Sequence, residues 1–314
     1  MIDPLEGKRT ALIVNPLSAK GRWVRSPRLR AYIQSEFPSR LHSEARDKAE
    51  MIGLARRLSL ENDILVVMGG DGTLSDVMEG IRDAGRLGDV VMGIIPLGSG
   101  NALRSSLAIP KQIRRAVRVL RTGVAKPIDL IEIDGHIANL VSIGATAKAT
   151  FKKSLATIPG LLGHTLASRT MFTYSRKLTD IELFDGRDDR NRTFTHRSLR
   201  LKLYDCIINK ANYFGYNWLI APKAKLDDGY LDVTLFDIRA YSYLVYYPLI
   251  YLGHYQKILK HYKAKRMIVR GAELHIQYNG EVIPSRDAVE IKVLPKALRV
   301  LAPPKPRGGL AIWS

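Results

Sequence analysis

The stretch "VVMGGDGTLSDVMEGI", Val66–Ile81, decides the fold. Its opening residues close the apolar run Asp63–Met68, which reads as a buried strand. Gly69, Gly70 and Gly72 then surround Asp71. Beyond them Leu74, Val77, Met78 and Ile81 recur at helical spacing. The pattern is strand, tight turn, helix. Glycine lets a backbone turn sharply and approach a ligand closely, and the first amides of a helix attract phosphate. A carboxylate at such a turn repels an anion, so Asp71 needs a task, such as orienting Mg²⁺ waters or accepting a proton. A plain strand-to-helix turn is the alternative for the three glycines taken alone.

Working outward, the same alternation fills the first 125 residues. Thr10–Val14 is a strand that ends at Asn15-Pro16, helical stretches follow near Pro27–Glu36 and Asp47–Leu60, and Val90–Ile95 is a further strand closed by Pro96. Strand–helix alternation predicts a parallel sheet covered by helices, with ligands at the strand C-terminal ends. From about Lys126 the pattern changes. Alternating strands are expected around Asp134-Gly135, over Leu199–Ile208 and Leu231–Ile238, around Asn279-Gly280, and over Ala288–Leu294. These predict an antiparallel β-sandwich domain. A basic helical insert is expected over Lys148–Lys177 and a second helix over Tyr241–Lys265. Phe184–His196 reads as a polar, mobile loop. The expected domains are 1–125 (α/β), 126–294 (β-sandwich with the insert) and 295–314.

The chain has 314 residues, 46% of them hydrophobic, and a formal net charge of +19. That charge suits nucleic acid, an anionic membrane surface or a polyphosphate ligand. The single cysteine, Cys206, excludes an internal disulfide and favours a reducing compartment. No signal-peptide pattern opens the sequence, and Tyr241–Tyr255 is shorter than the roughly 20 apolar residues of a spanning helix. The expectation is a soluble or peripheral protein. His136, His164 and His275 show no metal-ligand spacing.

Two more turns share the opening motif's chemistry. Gly98, Ser99 and Gly100 offer amides and a hydroxyl after the next strand, and Asn101 an amide side chain. Asn15–Arg22, "NPLSAKGR", carries Ser18, Lys20 and Arg22 as phosphate-binding groups after the first strand. Neither a Walker sequence nor a protein-kinase motif set is present. In this order and spacing, "NPLSAKGR", "GGDGTLSDVMEGI", "PLGSGNALRSSL", "LDDGYLDV" (Leu226–Val233) and "PKALRVLAP" (Pro295–Pro303) resemble the diacylglycerol kinase catalytic family, which includes sphingosine and ceramide kinases.

The resemblance implies an α/β nucleotide-binding domain, a β-sandwich domain, and a final segment that returns to the first. It also implies an ATP-dependent lipid kinase using Mg²⁺, in phospholipid metabolism. Asn15, Ser18 and Lys20, Gly69 to Ser75 (with Gly70, Gly72, Thr73 and Leu74), and Gly98, Ser99, Gly100 and Asn101 would hold ATP, Ser43 and Ser99 through hydroxyls. A structural or activating Mg²⁺ would sit on Asp228 and the carbonyls of Lys225 and Tyr230. Asp71 and Glu281 are the candidate proton acceptors. Three residues depart from the family pattern: Ala19 replaces a usual glycine, Asn279 the aspartate of a DGE triplet, and Ala102 an aspartate common in bacterial members. The expected partners are a membrane lipid and an anionic membrane surface, met peripherally from the cytoplasm through Lys148–Lys177 and His254–Arg266. Nucleic acid is not expected, and the oligomeric state, a homodimer included, stays open. The competing readings are an NAD kinase-like soluble kinase and a non-enzymatic basic protein that binds nucleic acid.

Overall fold

A computed structural model describes residues 3–98, 102–155, 173–213, 219–252, 254 and 258–304. The chain forms two compact units, residues 1–128 with 297–314, and residues 129–296.

In the first unit β1 (Thr10–Val14) lies parallel to β2 (His42–Glu44) and to β3 (Ile64–Gly69). β4 (Val91–Pro96) lies parallel to β3. Its other edge takes the end of the last strand, where Arg299 pairs with Val91 and Val300 with Met92, also parallel. All six residues of β3 are buried, as befits a strand with both faces covered. Leu12, Val14, Val66 and Met68 pack with Trp23, Ile33, Val117 and Leu120. Those partners come from α1 (Ser18–Arg25), α2 (Pro27–Glu36) and α6 (Ile113–Thr122). α3 (Lys48–Glu61) and α4 (Asp71–Asp83) cross closely at Gly80, where a Cβ would stand 2.5 Å from the Ile52 carbonyl oxygen. The short α5 (Ala102–Ser106) follows β4.

The second unit is antiparallel. Its strands are β5 (Val124–Ile133, entering from the first unit), β6 (His136–Ala138), β7 (Leu140–Gly144), β8 (Lys177–Asp188), β9 (Thr193–Leu203) and β10 (Asp205–Asn209). They continue with β11 (Leu231–Phe236), β12 (Lys260–Ala264), β13 (Arg266–Tyr278) and β14 (Glu281–Ala302). β8 pairs with Arg266–Arg270 of β13 and β7 with Ile276–Tyr278. The ladder β8-β12-β11-β10-β7 therefore leaves β13 at one half and returns at the other. A bulge in β13 between Arg270 and Leu274 lies where the partner changes. The enclosed core includes Val141, Ile143, Leu183, Ile208, Val233 and Ile276. Both dipeptides read as hairpin signals adopt two positive φ angles, Asp134 (51°) with Gly135 (76°) and Asn279 (48°) with Gly280 (93°). This is the geometry that lets a two-residue turn follow the strand twist.

Several sequence expectations are corrected here. Phe184–His196 is no loop, because β8 and β9 run through it as a hairpin. The Asp188 carboxylate organises the turn by accepting from the Arg190 and Arg192 amides at 3.0 and 2.9 Å. The helix from Tyr241 stops early: α8 spans Ala240–Tyr251, and Lys260–Ala264 is strand, with Tyr262 and Ala264 turned into the core. Pro248 lies inside α8 and removes one helical donor. The expected insert divides: α7 covers Ala145–Leu155, and Lys177 opens β8. Its middle, with His164 and Arg169, lies outside the described residues. Leu199–Ile208 breaks into two strands at Tyr204, whose carbonyl accepts from the Ala145 amide at 3.0 Å. Among the described residues, no helix is long and apolar enough to cross a membrane.

Asp205, beside that break, is buried. It accepts from the Thr146 amide (2.9 Å), the Thr146 hydroxyl and the Cys206 amide (3.0 Å). Burial outweighs these donors and pushes its carboxyl up to about 7. An unfolded aspartate ionises near 3.9. Between those values the folded chain holds the proton and the unfolded chain does not, so this group's contribution declines as pH rises from about 4 to about 7. Asp205→Asn should gain thermal stability relative to wild type over that window and hold a constant margin above it. Melts in a pH series check this; a margin that does not vary with pH contradicts it.

Candidate active site

Three strand ends of the first unit build one cleft. The β3–α4 turn is the tightest part. A Cβ on Gly69 would stand 2.5 Å from the Thr73 Cβ, and one on Gly70 would stand 3.4 Å from the Gly98 Cα. The Leu74 amide is bonded to the Gly70 carbonyl at 3.0 Å. The preceding amides of Gly72 and Thr73 belong to the first turn, whose donors lack a carbonyl within the helix. The positive end of the helix dipole adds to them.

The β1–α1 turn is tied to this one. Asn15 donates through Nδ2 to the Thr73 hydroxyl (3.0 Å) and accepts the Leu17 amide on Oδ1 (3.0 Å). The chain then passes through Ala19, Lys20 and Gly21 at φ 52°, 59° and 74°. For the two non-glycine residues that left-handed backbone costs roughly 1–2 kcal/mol each, so Ala19 sits where glycine would be unstrained. The third turn follows β4, where the Leu97 amide donates to the Gly69 carbonyl at 2.9 Å.

The cleft between these turns has a volume of about 710 Å³, within the range of small-molecule sites. Asn15, Ser18, Ala19 and Lys20 form one wall, Gly70 to Thr73 with Asp76 another, and Leu97 with Gly98 a third. The half-buried Asp71 is the first helical residue of α4. Its Oδ1 accepts the Ala102 amide at 2.8 Å, which orients the carboxylate and starts α5. Ala102, which brings no carboxylate of its own, thus steadies Asp71 through its backbone.

Of the residues expected to hold ATP, the structure gathers Asn15, Ser18, Lys20, Gly70, Gly72, Thr73 and Gly98 on the cleft. Leu74 and Ser75 are buried and turn inward. Gly69 sits beneath the turn as the last residue of β3. Ser43 is on β2 opposite Ile13 and is not among the lining residues. Ser99, Gly100 and Asn101 lie outside the described residues. Asp76 was missed by sequence reasoning, although its i,i+4 spacing from Gly72 put it on the same helix face.

Glu281, the other candidate base, belongs to the second unit, where it is exposed and pairs with Tyr278 across the hairpin. Asn279 has a structural task there. Its Oδ1 accepts the Asn139 and Leu140 amides at 3.1 and 3.3 Å.

The expected Mg²⁺ ligands do not fit a metal. Asp228 and the Tyr230 carbonyl do converge, but on the Lys210 ammonium, at 2.9 and 2.5 Å. Lys263 Nζ holds the other Asp228 oxygen at 2.7 Å. Burial alone would raise the Asp228 carboxyl, but the two lysines hold it below its ordinary value. Lys225 lines a different cleft of about 760 Å³ with Arg187, Lys223 and His261. Among the described residues no cluster of three His, Cys, Asp or Glu side chains is placed to bind a metal.

Comparison with known proteins finds similar domains and chains. The family model "Diacylglycerol kinase catalytic domain" matches residues 9–133, and "YegS C-terminal NAD kinase beta sandwich-like domain" matches residues 140–302. A diacylglycerol kinase of Mycobacterium tuberculosis is 26% identical over 317 residues, covering 95% of this chain and 96% of its own. A diacylglycerol kinase of Bacillus subtilis is 25% identical over 236 residues, 73% of each chain. A crystal structure of a diacylglycerol kinase from Bacillus anthracis superposes with a TM-score of 0.67 at 19% identity, covering 94% of this chain and 97% of that one. The last of these shows the shared fold.

Two glycines separate packing from ligand approach. Gly69→Ala should lose about 1–3 kcal/mol, the usual cost of overpacking, because Thr73 must move. At Gly72 nothing lies within 4 Å of a Cβ, and alanine favours a helix. Gly72→Ala should therefore keep or gain stability and weaken nucleotide binding. Denaturant titration with calorimetric ATP binding checks both; a Gly72→Ala protein with wild-type ATP affinity contradicts the assignment.

Proposed function

This chain belongs to the diacylglycerol kinase family, and we propose that it transfers the γ-phosphate of ATP to the hydroxyl of a membrane lipid, diacylglycerol or a sphingoid lipid. The observation that carries the reading is the cleft of the first unit. It combines helix-start amides at Gly72 and Thr73, the cation Lys20 and the anchored carboxylate Asp71 around a space sized for a nucleotide's phosphates.

Phosphoryl transfer asks mainly for positioning and charge compensation. Lys20 and the amides after Gly70 hold the phosphates, and ATP brings its own Mg²⁺. The lipid hydroxyl oxygen attacks the γ-phosphorus, the bond to the bridging β-oxygen breaks, and ADP leaves. The hydroxyl proton passes to the Asp71 carboxylate. Because the Ala102 amide fixes one of its oxygens, that carboxylate needs no reorganisation to accept the proton.

A lipid substrate requires contact with a bilayer, and α8 offers a surface for it. Tyr243 and Ile250 face the core. At about 100° per residue, Tyr241, Val245, Leu249 and Leu252 fall on the opposite side, where they are 62%, 70%, 45% and 58% exposed. An exposed apolar stripe on a chain of net charge +19 suits the interface of an anionic membrane. The stripe supports a peripheral contact through α8, in addition to the basic segments named from the sequence.

The test is transfer of labelled phosphate from ATP to diacylglycerol, sphingosine, ceramide and, for the soluble alternative, NAD. Lipid labelling in anionic vesicles is expected. Asp71→Asn should lower it about 100- to 10,000-fold while ATP still binds. Val245→Glu should lower it with vesicles but spare a soluble short-chain lipid. Labelling of NAD alone, or an Asp71→Asn protein of wild-type rate, overturns the proposal.

A further inference from the structure

We infer that the Lys210 ammonium is the resident cation of the second unit, standing where the family resemblance implied a divalent ion, and that this unit holds its structure without a metal. The inference does not depend on which substrate the kinase uses.

Lys210 follows the last residue of β10 and is fully buried. An ammonium has three N–H donors, and each finds one oxygen: Asp228 Oδ1 at 2.9 Å, the Tyr230 carbonyl at 2.5 Å and Asp129 Oδ2 at 3.0 Å. Two of these three oxygens are the expected metal ligands. A magnesium ion needs six oxygens at about 2.0–2.1 Å, and the nitrogen already occupies the point on which these ones converge.

The surroundings are built around that nitrogen. Asp129 is itself buried and is held by the Lys296 amide on Oδ1 (2.8 Å) and the Gly229 amide on Oδ2 (2.7 Å). The Gly229 contact fixes the turn that presents Asp228 and Tyr230. Lys263 joins Asp228 to the buried Asp232, at 2.7 and 3.0 Å. Two lysines, one just after β10 and one on β12, thus draw carboxylates from β5, β11 and the 226–230 turn into one network. A buried lysine keeps its charge only when so paired. A mobile divalent ion would do the same joining reversibly, whereas this one is covalently attached.

The experiment uses the full-length, nucleotide-free protein and reads the thermal midpoint in EDTA, in Mg²⁺ and in Ca²⁺. Wild type should melt at the same temperature in all three. Lys210→Met, which fills the space without charge, should lose roughly 10 °C and regain nothing with metal. Lys210→Ala should lose as much but recover part with Mg²⁺, because it vacates the oxygens. A wild-type midpoint that rises with Mg²⁺, with the rise abolished in Asp228→Asn, overturns the inference. So does a Lys210→Met protein as stable as wild type. Should both Lys210 variants fail to fold, the wild-type and Asp228→Asn melts still decide.

Discussion

The contact between Gly69 and Thr73 is the constraint from which the candidate site follows. β3 must end and α4 begin within one residue, and the Thr73 side chain lies where any Cβ at position 69 would stand. With that space closed, Thr73 is fixed and takes the hydrogen bond of Asn15, which ties the β1 turn to the β3 turn. The Gly69 carbonyl meanwhile receives the Leu97 and Gly98 amides and ties in the β4 turn. A single missing methyl therefore registers three strand ends. The amides of the first turn of α4 and the Asp71 carboxylate face the resulting cleft from a rigid support, which is what positioning a phosphate requires.

The second unit solves a different problem. Its turn at 226–230 gathers carbonyl and carboxylate oxygens that repel one another unless a cation joins them. Lys210 and Lys263 join them from within the chain. Buried pairs of this kind add little net stability over an apolar core, but losing one partner costs roughly 3–5 kcal/mol, because a charge is left buried alone. The network therefore acts as a latch: it ties the 226–230 turn to β5 through Lys210 and to β11 and β12 through Lys263.

Much of this was legible in the sequence because turn chemistry is local. The Asp134-Gly135 and Asn279-Gly280 hairpins take positive φ angles that few other residues accept, and Gly69 and Gly70 leave room for the close approach of Thr73 and Gly98, so the string of letters carries the geometry directly. The Lys210 site was not legible. Asp129, Lys210 and Asp228 lie far apart in the chain, and only the strand order brings them together; in sequence Asp227-Asp228-Gly229 looks like an ordinary turn or a metal loop. Phe184–His196 was misread for a related reason. Its charged residues suggested a loop, whereas the alternation of Phe184, Gly186 and Asp188 against Phe194 and His196 is that of a hairpin. The end of α8 was obscured because Tyr and Lys residues serve a helix face and the strand β12 equally well. Asn279, taken as a lost carboxylate, proved to be a side chain whose oxygen secures the β6–β7 connection.

The central claim is that the first unit's cleft holds the phosphates of ATP. Hydrogen–deuterium exchange, measured with and without a non-hydrolysable ATP analogue, tests it most directly. Slowed exchange confined to the amides of Ser18–Lys20 and Gly70–Thr73 is the predicted result. Unchanged exchange there, with protection instead around Arg187, Lys223 and Lys225 in the second unit, would contradict the account.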